Sequence, residues 1–279
     1  MTDFDAETPV SVTSQRVALW VEYDGTRFSG WQLQRGSDVS SVQGALESAL
    51  GFVANHPVRL HCAGRTDAGV HATAQLVHFD AEHPRALQSW LRGANANLPS
   101  TVAVRGGQLV PSDFHARFSA LSRRYRYLID NSPVSPAIGH DYLAWVRQPL
   151  DSERMHEAAQ QLLGERDFSS FRAAACQSST PMRRVDFLRV YRRGSLVVIE
   201  IQANAFLHHM VRNIAGALIS VGKNGLEPNW LAELLALRDR TLAPDTAPAG
   251  GLYLVGVEYP GEFALSPPPP GPWFLPDAD

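Results

Sequence analysis

Gly64-Arg65-Thr66-Asp67-Ala68-Gly69-Val70-His71 is a short polar segment bracketed by glycines and set between two stretches of alternating character. Before it, Val58, Leu60 and Cys62 alternate with Arg59 and His61; after it, Gln75 to Asp80 alternates in the same way. Period-2 alternation is the pattern of half-buried strands, so the segment reads as a charged turn joining two strands. Gly64 and Gly69 let that turn take positive φ or bring a ligand close to its main chain. An isolated Arg-x-Asp is most often a solvated charge pair in a β-turn. Asp67 at the centre is therefore either such a charge or a functional carboxylate.

Outward from the turn the pattern is regular. Val17 to Tyr23 reads as a strand leading into the Asp24-Gly25 turn, and Val42, Ala45, Leu46, Ala49, Leu50 and Val53 fall at helical spacing behind Ser40 or Ser41 as N-cap. Arg85 to Ala96 carries a second helical pattern and Thr101 to Val110 a strand, giving the order β-α-β-β-α-β. The second half repeats that order: strand Arg123–Asp130, helix Asp151–Leu163, strands Val185–Tyr191 and Leu196–Gln202, helix Phe206–Val221, strand Leu252–Val257, with an added helix Trp230–Leu237. The fold class is α+β, with domains over 16–112 and 113–260. Two such units bury their exposed sheet faces by joining edges or by packing across a cleft, where ligand sites concentrate. Residues 261–279 form a Pro-rich tail; its apolar Trp273, Phe274 and Leu275 predict a docked strap.

The chain has 279 residues, 44% of them hydrophobic, and neither an apolar leader at its N-terminus nor a run near the ~18 apolar residues of a membrane span. A soluble cytoplasmic protein is expected. Cys62 and Cys176 have no spacing that suggests a disulfide framework or thiolate zinc. Net charge is −3, but six of the 28 acidic residues lie in the ends, which hold no Lys or Arg, so the body between carries 25 basic residues against 22 acidic. Arg117, Arg123, Arg124 and Arg126 form one basic cluster and Arg183, Arg184, Arg189, Arg192 and Arg193 another, each interleaved with aromatics. Such stripes suit a phosphate backbone, or are simply solvated faces.

The loop around Asp67 resembles, almost letter for letter, the catalytic loop of the TruA family of tRNA pseudouridine synthases. The resemblance extends through Phe114-His115-Ala116-Arg117-Phe118-Ser119, Arg123-Arg124-Tyr125-Arg126-Tyr127, the run Ala203 to Ile214 with its His208-His209-Met210-Val211-Arg212-Asn213, and Gly251-Leu252-Tyr253-Leu254-Val255. It implies that the two domains join into an extended, mainly antiparallel sheet, with helices on one side and a basic cleft on the other. It also implies a homodimer gripping the tRNA anticodon arm, isomerisation of uridine at tRNA positions 38, 39 and 40, and no cofactor. On this resemblance Asp67 is the catalytic carboxylate, as nucleophile or as base at the ribose, and Arg212 is its ion-pair partner. Arg65 holds the flipped nucleotide out of the stack. Tyr125 stacks on the uracil, its hydroxyl helping to remove the C5 proton, and Leu254 lines the base pocket.

Arg123, Arg124, His208 and His209 are further substrate-binding candidates. A metal role for the two histidines is disfavoured, because adjacent helical residues point about 100° apart and the i, i+4 spacing of H-E-x-x-H is missing. His71 and His78 likewise lack a zinc spacing. Two other classes compete: a non-catalytic RNA-binding module in which Asp67 is structural, and a metal-dependent hydrolase built on the histidines.

Overall fold

A computed structural model describes residues 14–34, 39–223 and 225–275. In the first half, strand β1 (Gln15–Tyr23) leads to helix α1 (Val42–Ala54), whose N-cap is Ser41, its hydroxyl accepting from the Gly44 N–H at 3.1 Å. Strands β2 (His61–Cys62) and β3 (His71–Ala81), helix α2 (Leu87–Asn97) and strand β4 (Val102–Leu109) follow. The second half comprises β5 (Ser122–Asp130), β6 (Ala144–Trp145), α3 (Ser152–Ala159), β7 (Gly164–Asp167), β8 (Met182–Arg193), β9 (Leu196–Ala203), α4 (Met210–Gly222), α5 (Trp230–Leu237) and β10 (Leu252–Glu258).

All ten strands form one mixed sheet in the order β4-β1-β3-β10-β5-β9-β8-β7, with β2 on β3 and β6 on β5. The halves meet where β10 runs parallel to the start of β3, Tyr253 opposite His71 and Leu254 opposite Ala72. Farther along the same strand, Val77 and His78 pair instead with β2. The sheet therefore forks beside β3, and the loop carrying Asp67 crosses from β2 to β3 at the fork. One rung of the sheet reads Ala72, Leu254, Tyr125, Ile201 across β3, β10, β5 and β9.

Alternation along β5 sends Tyr125, Tyr127 and Ile129 into the main core, on the side where α4 packs, and Leu128 to the opposite face. There Leu128 joins Val198, Tyr253, Val255 and Leu275 in a second apolar cluster. On that face the fully buried Glu200 is met by Arg124 at 2.7 Å, Arg126 at 2.9 Å and Arg189 at 2.7 Å. Arg126 also donates to the Gly271 carbonyl at 2.9 Å, and a Cβ on Gly271 would meet Thr73 at 2.6 Å. The Pro-rich tail is thus docked through Leu275 and its backbone, while Trp273 stays 88% exposed.

Several boundaries differ from the sequence reading, and three have a clear local cause. Only His61–Cys62 of the stretch before the loop is strand, because the Leu60 N–H is taken by the Glu47 side chain of α1 at 3.0 Å. The helix expected over Asp151–Leu163 breaks at Ala159 into a 3-10 turn. The helix expected from Phe206 starts at Met210, because His209 adopts a left-handed conformation, φ 61°, and breaks any earlier turn.

Candidate active site

The Asp67 loop is held in shape by its neighbours. Trp31 N–H donates to Thr66 O at 3.0 Å, the Tyr23 hydroxyl meets Thr66 Oγ1 at 2.7 Å, and Gln75 Oε1 accepts from Gly64 N–H at 3.3 Å. Gly30, at φ 100°, lies so close beneath that a Cβ would stand 2.9 Å from Thr66 O, and Gly69 turns the chain at φ 76°. These clamps fix the backbone and leave the Asp67 side chain pointing into an open cleft of about 1320 Å³.

Three cationic or imidazole groups face the carboxylate. His208 Nε2 is 3.3 Å from Oδ1, and His209 Nε2 and Arg212 Nη1 are 3.4 and 3.7 Å from Oδ2. Arg212 projects from the first turn of α4 and is pinned by its Nε donating to Ala247 O at 2.8 Å. The left-handed turn at His209 lets two consecutive imidazoles reach the same carboxylate; their ring centroids are 4.0 Å apart. The premise that both sit on a helix and diverge does not hold. Burial lowers the His209 pKa, partly offset by Asp67.

Tyr125 is buried beside the loop, its ring edge-on to Phe206 with centroids 5.0 Å apart, and burial pushes its phenol pKa well up. Arg65 is exposed at the cleft wall. Among the described lining residues Asp67 is the one acid, against Arg59, Arg65, Arg117, Arg123, Arg183 and Arg212. That charge pattern, with a fixed carboxylate at its base, fits a polyanion carrying one reacting group.

The family model for tRNA pseudouridine synthase matches residues 19–119 and 158–260. The chain belongs to the tRNA pseudouridine synthase family. Two relatives are tRNA pseudouridine synthase A from Vibrio parahaemolyticus, 57% identical over 94% of this chain and 98% of its own length, and the same-named protein of Escherichia fergusonii, 56% identical over 94% and 96%.

The cleft collects most, but not all, of the residues singled out by sequence. Asp67, Arg65, Tyr125, His208, His209 and Arg212 line it together. Arg123 lines it too, but its guanidinium serves as a staple, donating to Ala63 O at 2.9 Å, Arg117 O at 2.7 Å and Asn204 O at 3.0 Å. Arg124 lies on the other face of the sheet, bound to Glu200 and stacked over Phe187 at 5.4 Å, because strand alternation turns it away from Tyr125. Leu254 is fully buried beside Tyr125, whereas Leu252 is the β10 residue that reaches the cleft. Sequence reasoning missed the clamps Gly30, Gln75 and Tyr23. Gly30 alone left a signal, as a glycine outside any hairpin motif.

Proposed function

We propose that this chain isomerises uridine to pseudouridine in the tRNA anticodon arm, at positions 38, 39 and 40, without a cofactor and as a cytoplasmic homodimer. The observation that carries the reading is the 3.7 Å contact between Asp67 and Arg212, residues 145 positions apart that meet at the base of a basic cleft. The reaction breaks the N1 to C1′ bond, turns the uracil and joins C5 to C1′; C5 loses a proton, N1 regains one, and no net oxidation occurs. What the step needs from the protein is an ionised carboxylate close to the sugar. Arg212 Nη1 stands 3.7 Å from Asp67 Oδ2 as a fixed cation beside it. Its side chain is anchored on Ala247, so it need not use up the carboxylate's lone pairs.

The target base must leave the helical stack, at a cost of a few kcal/mol. Arg65, exposed and two residues before Asp67 in the loop, is suited to take the vacated place, since a guanidinium plane stacks on bases. Tyr125 and Phe206 offer a ring wall to the extruded uracil. With its pKa pushed up by burial, the Tyr125 hydroxyl stays protonated at neutral pH and acts on the C5 proton as a relay, not as a phenolate. Recognition of adjacent positions calls for reading the shape of the arm, as A-form grooves favour.

Mapping every modified site after incubating the protein with several unmodified tRNA transcripts tests the assignment. Pseudouridine at 38, 39 and 40 is expected; modification of one unrelated position would refute it. Light scattering giving a mass of one chain, 30.6 kDa, would rule out the dimer.

A further inference from the structure

Asp67, His208 and His209 bring three ligand atoms within 4.8 Å of one another, each imidazole Nε2 standing 3.3–3.4 Å from a carboxylate oxygen. Donors about 2.0–2.1 Å from a tetrahedral zinc stand about 3.4 Å from one another, so the His208 spacing to Oδ1 and the His209 spacing to Oδ2 each match an edge of such a site. Among the described residues no hydrogen bond engages the Asp67 carboxylate oxygens or either imidazole ring. Their lone pairs are uncommitted.

A second group, His61, His78 and His115, is equally compact but differs in one respect. His78 Nδ1 accepts from the Ala116 N–H at 3.1 Å, and His115 Nδ1 from the Arg117 and Phe118 N–H groups at 3.1 and 3.3 Å. A neutral imidazole that accepts at Nδ1 carries its proton on Nε2, so neither ring has a lone pair left for a metal. The backbone thus disarms one cluster and leaves the other available.

We propose that, when no RNA is bound, Asp67, His208 and His209 bind one divalent transition-metal ion, with zinc the best fit, and that this ion and RNA exclude each other. Two imidazoles and a carboxylate are a common zinc set, and the cleft leaves the fourth position open to water. Arg212, 3.7 Å from Asp67, repels a second cation and keeps the site weaker than a closed structural one. Zinc is then a reversible inhibitor, a consequence that rests on the catalytic role proposed for Asp67; the binding itself does not.

The full chain, stripped with chelator and dialysed, is titrated with zinc chloride by calorimetry. One ion per chain is expected, with affinity falling roughly tenfold or more in Asp67→Asn, His208→Asn and His209→Asn. Asparagine tolerates the left-handed backbone of residue 209, and circular dichroism verifies folding. His115→Gln should bind zinc as the wild type does. A saturating unmodified tRNA transcript should weaken zinc binding, and zinc should slow pseudouridine formation until chelator is added. No stoichiometric binding, binding that survives in the Asp67 and His209 variants, or binding lost in His115→Gln would overturn the site. Zinc and transcript bound together without mutual effect would overturn the exclusion. Zinc bound at the three residues while Asp67→Asn still makes pseudouridine would sink the catalytic reading and leave the metal site standing.

Discussion

Glu200 and Asp67 each face three nitrogen-bearing side chains, Arg124, Arg126 and Arg189 in one case, His208, His209 and Arg212 in the other. Around Glu200, which is fully buried, the contacts are 2.7–2.9 Å. Around Asp67, 27% exposed, they are 3.3–3.7 Å and none is a formed hydrogen bond. A buried charge must be fully paired or it costs several kcal/mol. The Glu200 cluster meets that demand and ties β5, β8, β9 and the C-terminal strap together. The Asp67 cluster sets one guanidinium and two imidazoles around its carboxylate and leaves the carboxylate lone pairs without a formed hydrogen bond, as the proposed reacting role requires.

Breaking each cluster should therefore produce different losses. Glu200→Gln leaves three guanidiniums around an uncharged amide, and a cost of roughly 3–5 kcal/mol is expected in a urea unfolding curve. Turnover per folded molecule should be unchanged; an unaltered midpoint would mean the cluster is not structural. Arg212→Met should lower pseudouridine formation by about 10²–10³-fold, the range for losing one charge-stabilising group, with tRNA affinity largely kept. Near-wild-type rates would dissolve the contrast. Tyr125→Phe should reduce turnover by about 10²-fold with folding intact, since the ring remains and the proton relay is removed; an undiminished rate would demote Tyr125 to packing. His209→Gly should raise unfolding stability by roughly 0.5–1 kcal/mol while impairing turnover, because a left-handed non-glycine residue is strained and Gly relieves it. A drop in stability would show that His209 is held for packing instead.

Much of this was legible in the sequence, and the failures have physical reasons. Period-2 alternation located the strands β3 and β5, and the glycine-bracketed loop between strands located Asp67. The start of α4 was misread because Phe206, Leu207, Met210 and Val211 continue the apolar spacing of a helix, while the backbone turns left-handed at His209. Nothing in the spacing announces that turn, and it is what brings both imidazoles to one carboxylate. Arg124 was grouped with Arg123 as one basic stripe, although alternation from Tyr125 already assigns it to the other face. Glu200 was invisible as a hub because its three arginines lie 11 to 76 residues away and only the sheet register gathers them.

The central claim is that Asp67 is the catalytic carboxylate and is held apart from structural duty. Asp67→Asn tests it most directly, with pseudouridine formation on an unmodified tRNA transcript, transcript affinity and the unfolding midpoint measured on the same preparation. The expected result is no detectable product, an affinity close to wild type and an unchanged midpoint. Product at the wild-type rate, or a midpoint lowered as far as in Glu200→Gln, would contradict it.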